Sequence, residues 1–312
     1  VTVLDTEARA AVAESLRDVF ADDSARDLAA RLDELGWDEV VNEDPETATT
    51  MLFIEQGRAL ASTSLLDDVV VGALDPALTG HGVLYPSFTS VGAGVLLGPV
   101  DDLERVLVPD ARGVRSVPAA ALELRPLGGF DRHSAWQVVV GALPDGERVA
   151  GDWVAAEAAG RRAVSAEIIG VCRAALDLAV QYTRDRRQYG RPLGSFQAVR
   201  HQLAESYAAI EAAASALSAA WTVSADPALA PWAARSAKAK AGSAQDVVLR
   251  RTVQVLGAMG LTEEGPMHRF VERGATLDQL LGSHGQLVEQ TGRDLLTGTP
   301  AHPVVQIWED TP

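Results

Sequence analysis

The sequence predicts an α+β protein, mostly α, with a helical N-terminal part, a small β part and a C-terminal helical bundle. Three observations point there. Seven of the 15 prolines (Pro76, Pro86, Pro99, Pro109, Pro118, Pro126 and Pro144) fall between residues 69 and 150. Proline removes a donor and clashes with the preceding turn, so long helices are excluded from that stretch. Beyond it, apolar residues recur every three or four positions, the period of one helix face. The chain has 312 residues and is 47% hydrophobic, enough for one large core or two to three modest ones.

Residues 1–68 are expected to form a helical domain. Ser24 fits an N-cap before ARDLAARLDEL, and Gly36 a C-terminal stop. A further helix is expected from about Glu46 to Ala61, carrying MLFIEQGRAL. Residues 69–150 hold the short apolar runs VLYPSF, GVLLG, RVLVP and WQVVVGAL between Gly and Asp turns, the pattern of a reduced antiparallel β domain.

Residues 151–297 carry four helical stripes. The first is Val164, Ile168, Val171, Ala175, Leu178 and Tyr182. The second runs through Phe196, Val199, Leu203, Tyr207, Ile210, Ala214, Leu217 and Trp221, and the third through Leu249, Val253 and Leu256. Leu277, Leu281, His284, Val288 and Leu295 make the fourth. Breaks at Gly190–Gly194, Asp226–Pro231 and Gly260–Pro266 leave short connections, as in an antiparallel four-helix bundle. Residues 298–312 read as an irregular tail, a candidate interaction strap.

Composition narrows the function. Asp and Glu number 43 against 27 Lys and Arg, for a formal net charge of −16. Such a surface repels phosphate backbones and anionic lipid, so neither nucleic acid nor membrane is an expected partner. No apolar run reaches the ~18–20 residues of a membrane span. Asp5, Glu7 and Arg9 open the chain where a secretory leader would be basic and then apolar. The expectation is a soluble, cytoplasmic protein. Cys172 is the one cysteine, so no internal disulfide and no Cys-based zinc site is expected. The six histidines show no HxxxH or HExxH spacing, so no metal is expected. Gly92-Ala-Gly94-Val-Leu-Leu-Gly98 opens no helix and so lacks the free amides that bind phosphate.

Two segments carry chemistry. In YTRDRRQYGRPLGSFQAVRHQ, from Tyr182 to Gln202, Arg184, Arg186, Arg187 and Arg191 crowd together in an acidic chain. Guanidinium groups bind phosphate, and a neighbouring aromatic can stack on a heterocycle. A solvated helix end, where basic residues favour the C-terminal dipole, is the simpler account on physics alone. In QVLGAMG, Gln254 to Gly260, the glycines can end a helix, while Gln254 one turn earlier can bind a ligand edge.

Together these segments resemble the acyl-CoA dehydrogenase flavoproteins. R-x-x-Y-G-x-x-x-x-x-F-Q, about sixty residues, then Q-x-x-G-x-x-G is the C-terminal signature of that family. The order of helical domain, β domain and four-helix bundle is also theirs. The resemblance covers residues 150–296 best and the β stretch least. It implies α,β-dehydrogenation of an acyl-CoA thioester with FAD, a glutamate removing the α-proton. It also implies dimers in which one subunit's bundle completes its neighbour's FAD site. By resemblance Arg186 binds the FAD pyrophosphate across the interface. Tyr189 and Leu193 line the flavin-side pocket, with Gln197 nearby. Gln254 and Gly257 hold the adenosine half, and Ser283 takes the family's Gly-Thr/Ser contact. Ala258 stands where the motif usually has a second glycine.

The departures matter most. The family's base precedes the glycine of a Y-E-G-T segment; the counterpart here is Leu280-Leu281-Gly282-Ser283, which puts Leu281 at that position. A subset keeps its base early in the first bundle helix, before an arginine, which here is Gly160 before Arg161. Neither accepts a proton. Glu157, one turn before Gly160, is a weak substitute, with Glu167 and Asp278 as further carboxylates. The Thr-Glu-Pro-Gly-x-Gly-Ser-Asp flavin cradle has no equivalent in Ser87–Gly98.

The resemblance therefore implies the shorter subunit of a heteromeric acyl-CoA dehydrogenase, arranged as α2β2. A longer homologous partner supplies the base, and FAD is shared at the interface. Such heteromers occur in steroid side-chain degradation, so a steroid side-chain CoA is a candidate substrate. The alternative is a non-catalytic scaffold of the same fold that has lost FAD. A third reading, flavin-independent chemistry on acyl-CoA, would rest on Glu157.

Overall fold

The computed structural model describes residues 5–21, 28–86, 92–98, 100, 103–129 and 131–299. Ser24, part of Ser87–Gly98, and nearly all of the expected tail lie outside these residues.

Five helices come first: α1 (Thr6–Ala21), α2 (Leu28–Glu34), α3 (Trp37–Glu43), α4 (Pro45–Ala59) and α5 (Leu65–Leu74). Gly36 has a left-handed backbone (φ 65°) that turns the chain straight into α3. The Asp44 side chain caps α4 by accepting from Thr47 N–H, with Pro45 in the first turn, and α4 ends two residues before Ala61. Helix α5 runs through residue 68, so the expected domain limit there falls inside a helix and not at a joint.

Among the described residues eight short strands follow: β1 (Gly82–Val83), β2 (Tyr85–Pro86), β3 (Gly94–Leu96), β4 (Arg105–Asp110), β5 (Gly113–Pro118), β6 (Glu123–Pro126), β7 (Gln137–Val140) and β8 (Glu147–Val149). They form two four-stranded sheets, β1-β4-β5-β8 and β2-β3-β7-β6. The module is not wholly antiparallel, because β1 pairs parallel to β4, Gly82 opposite Val106. Leu84, Leu96, Val106, Val108, Val117 and Val139 from the two sheets bury a core between them.

Helix α6 (Trp153–Asp185) is the axis of the molecule. At 33 residues it is about 50 Å long. It packs on α4, α5, α7 (Gln197–Thr222), α8 (Ala230–Leu256) and α9 (Met267–Gln279). Its closest crossing is with α4, where a β-carbon on Gly57 would collide with the Glu167 carbonyl and one on Gly170 with the Ile54 carbonyl. The stripe from Val164 to Ala175 is buried as expected.

The fourth bundle helix is not continuous. It breaks at Leu280–Ser283 into α9 and α10 (His284–Leu296), with Leu281 at φ 58° and Gly282 at φ 101°. Leu277 and Leu281 are buried, but Val288 and Leu295 are 60% and 42% exposed, so that stripe is not one core face. Tyr207 in the second stripe is likewise 59% exposed. Among the described residues no helix is long and apolar enough to cross a membrane.

Candidate functional site

Two constellations stand at different levels of the bundle. At one end α6 stops at Arg186, and Arg187–Gln188 pairs with Arg191–Pro192 as a two-stranded hairpin, β9 and β10. Its two-residue turn is Tyr189-Gly190, at φ 51° and φ 76°, which a twisted hairpin favours and a tyrosine adopts only under strain. Tyr189 is 92% exposed, edge-on to Phe196 at 6.2 Å, and Arg191 covers the Phe196 ring at 4.0 Å. Leu193 N–H donates to the Arg186 carbonyl at 2.8 Å, so the hairpin folds back on the helix end. Arg186 and Gln197 are exposed and Leu193 is half-buried.

Helix α8 ends at the same end of the bundle. Gln254 is exposed there, and its carbonyl accepts from Gly257 N–H. Gly257 (φ 63°) has nothing within 4 Å of where a β-carbon would sit. An Arg251–Glu205 ion pair ties this end of α8 to the early turns of α7. The structure thus places Arg186, Tyr189, Leu193, Gln197, Gln254 and Gly257 at one end of the bundle, all exposed except the half-buried Leu193. A guanidinium and a carboxamide can donate there, and the open space at Gly257 lets a ligand approach the backbone closely, which suits a pyrophosphate and an adenosine.

Ser283 is not at that end. It caps α10: Ser283 Oγ accepts from Gln286 N–H while Gln286 Oε1 accepts from Ser283 N–H, a capping box. It sits at the α9–α10 break beside Lys238, and Lys238 lies about 24 Å along α8 from Gln254. There the two positions expected to hold a base meet. A β-carbon on Gly160 would lie 2.8 Å from Leu281 Cδ1 and 2.9 Å from Val70 Cγ2. Leu281 is 3% exposed. That spot is filled with hydrocarbon.

Two cations hold the break. Lys238, fully buried, donates to the carbonyls of Asp278 (2.9 Å) and Gly282 (3.2 Å), and Arg161 Nε donates to that of Leu281 (3.2 Å). Burial pulls the Lys238 ammonium down to about 8, against the pull of Asp278. Asp278 accepts from His284 N–H and meets His284 Nδ1 at 2.8 Å. Glu157 is ion-paired with Arg161 at 3.0 Å, so this carboxylate is engaged. Sequence reasoning missed Lys238. A signal existed: Lys238 and Lys240 are the chain's two lysines, set in an Ala-rich helix where one falls on the packed face.

The match to known proteins agrees with this architecture. Residues 155–296 match the family described as "Acyl-CoA dehydrogenase, C-terminal domain". Acyl-CoA dehydrogenase FadE27 of Mycobacterium tuberculosis is 31% identical over 262 residues, covering 78% of this chain and 69% of that protein. The chain belongs to the acyl-CoA dehydrogenase family. Solved acyl-CoA dehydrogenase structures share its fold. A Tcur3481-Tcur3483 steroid ACAD variant superposes with a TM-score of 0.74 at 24% identity, covering 94% of this chain and 98% of that one. The ChsE4-ChsE5 complex from Mycobacterium tuberculosis gives 0.68 at 21% identity, covering 96% and 99%.

Proposed function

We propose that this chain is a subunit of a heteromeric, FAD-dependent acyl-CoA dehydrogenase, and that a longer homologous partner supplies the catalytic base. The observation that carries this reading is the contact of Leu281 with Gly160. On the family's pattern these are the two base positions, and the side chains that meet there, Leu281 and Val70, are apolar. At the other end, Arg186, Tyr189, Gln197, Gln254 and Gly257 are open to solvent around the half-buried Leu193, where they can serve a neighbour's FAD.

In this reading Arg186 binds the pyrophosphate of the partner's FAD and Gln254 with Gly257 the adenosine. Tyr189 and Leu193 flank the flavin side, with Gln197 beside them. Ser283 acts as the α10 cap. When bound, FAD supplies the acceptor for the β-hydride of the acyl group. This chain's residues hold it and exclude water from its adenosine end. A steroid-derived acyl-CoA is the substrate class this reading favours, in line with the steroid ACAD that shares the fold.

The test is co-expression with a full-length acyl-CoA dehydrogenase homologue, followed by the flavin absorbance of the purified species. Flavin confined to the co-purified complex, and lost with Arg186→Ala, is the expected result. A yellow and active single chain would overturn the reading. A colourless complex would leave the scaffold alternative.

A further inference from the structure

Away from both constellations, three parts of the molecule meet on one buried guanidinium. Arg273 on α9 approaches Asp131 Oδ2 at 3.0 Å through Nε and Glu167 Oε1 at 3.9 Å through Nη1. Its Nη2 donates to the Leu60 carbonyl at the end of α4, at 3.3 Å. Asp131 lies in the β6–β7 connection and Glu167 on α6. The three side chains are only 3%, 4% and 5% exposed.

The charges do not balance. Two carboxylates share one cation, and neither Asp131 Oδ2 nor Glu167 Oε1 accepts a hydrogen bond. Leaving a net negative charge in so closed a place costs several kcal/mol. Water-sized ligands have no access to these atoms, but a proton needs none. Asp131 is the nearer to Arg273, and its Oδ1 also accepts from His133 N–H at 3.1 Å. Glu167 has the longer contact and a hydrogen bond to Gln56, whose own Oε1 is taken by Thr63 at 2.6 Å. The other charged groups nearby face each other. Arg132 pairs with Glu263 at 2.7 Å and reaches Glu272 at 3.8 Å, and His133 and His268 act on Glu263.

We propose that this joint carries one exchangeable proton on Glu167, and that losing it loosens the hold of the bundle on the β6–β7 connection. With the proton bound, Arg273 and Asp131 form a neutral pair and the β module is fastened to α9. Without it, Glu167 and Asp131 compete for the same guanidinium. Burial lifts the Glu167 carboxyl to about 7, against the pull of Arg273. Once the connection opens, water reaches the carboxyl and its ordinary value returns. Opening is thus linked to proton release.

Amide hydrogen exchange on the full chain, corrected for intrinsic rates, tests this in peptides spanning 131–137. The opening constant should rise about tenfold per pH unit between about pH 5 and pH 7 and level off above. Glu167→Gln should abolish the rise, while His133→Gln, at an exposed histidine, should keep it. Asp131→Asn leaves one carboxylate per guanidinium and should move the rise to lower pH. A wild-type constant independent of pH, or the same rise in Glu167→Gln, overturns the proposal. Should Glu167→Gln fail to fold, an Asp131→Asn profile matching wild type overturns it equally.

Discussion

Leu281 lies directly over Gly160, with its Cδ1 only 2.8 Å from where the glycine's β-carbon would be. Positions 121 residues apart, each assigned separately from a family motif, meet at one point. Their contact joins α6 to the α9–α10 break. It also yields a packing test. Gly160→Ala should cost about 1–3 kcal/mol by overpacking and Leu281→Ala about 2–5 kcal/mol by cavity formation. The double variant should lose less than the sum, because the new methyl partly fills the new space. Strictly additive losses in urea unfolding would sink this account.

Lys238 is fully buried and spans the α9–α10 break through two carbonyls. Lys238→Met should cost about 3–5 kcal/mol, since it strands the Asp278 carboxylate in the interior. Adding Asp278→Asn should return part of that loss. Equal stability of the single and double variants would show that the carboxylate does not depend on the lysine.

The Tyr189-Gly190 turn sets stability against function. A left-handed tyrosine costs about 1–2 kcal/mol, and Asn-Gly is the sequence that such a turn favours. Tyr189→Asn should raise the melting temperature of the chain while lowering the flavin content of the co-purified complex. If both stay unchanged, the exposed ring has no role at the shared edge.

A second buried carboxylate makes stability depend on pH. Asp67 accepts from the Tyr85 hydroxyl at 2.8 Å, and burial pushes its carboxyl up to about 8. Between about pH 4 and pH 8 the unfolded chain has released this proton and the folded chain keeps it. Stability from this group is therefore full below about pH 4, falls as pH rises, and is flat above about pH 8. Asp67→Asn should remove that downward slope, measured as urea midpoints across the range. An unchanged slope would place the titration elsewhere.

Much of this protein was written in local sequence. Proline spacing marked the β region, and apolar periods of three and four marked α6, α7 and α8, because a helix face follows from neighbours along the chain. The motif from Arg186 to Gln197 and the one from Gln254 to Gly260 were legible as sequence patterns, while their place at one end of the bundle came from the packing of α6, α7 and α8. Other features needed distant partners. The apolar period ran through Leu281 and hid a break that Gly282 and the Ser283–Gln286 capping box mark locally, and that Lys238 and Arg161 hold from distant positions. The parallel pairing of β1 with β4 depended on strands more than twenty residues apart. Ser283 carried a family expectation in sequence, yet its neighbour Gln286 made it a helix cap. The deepest divide concerns charge. Sequence counts carboxylates and cations, but only tertiary packing decided that Asp131 and Glu167 must share Arg273, because desolvation acts on groups brought together in space.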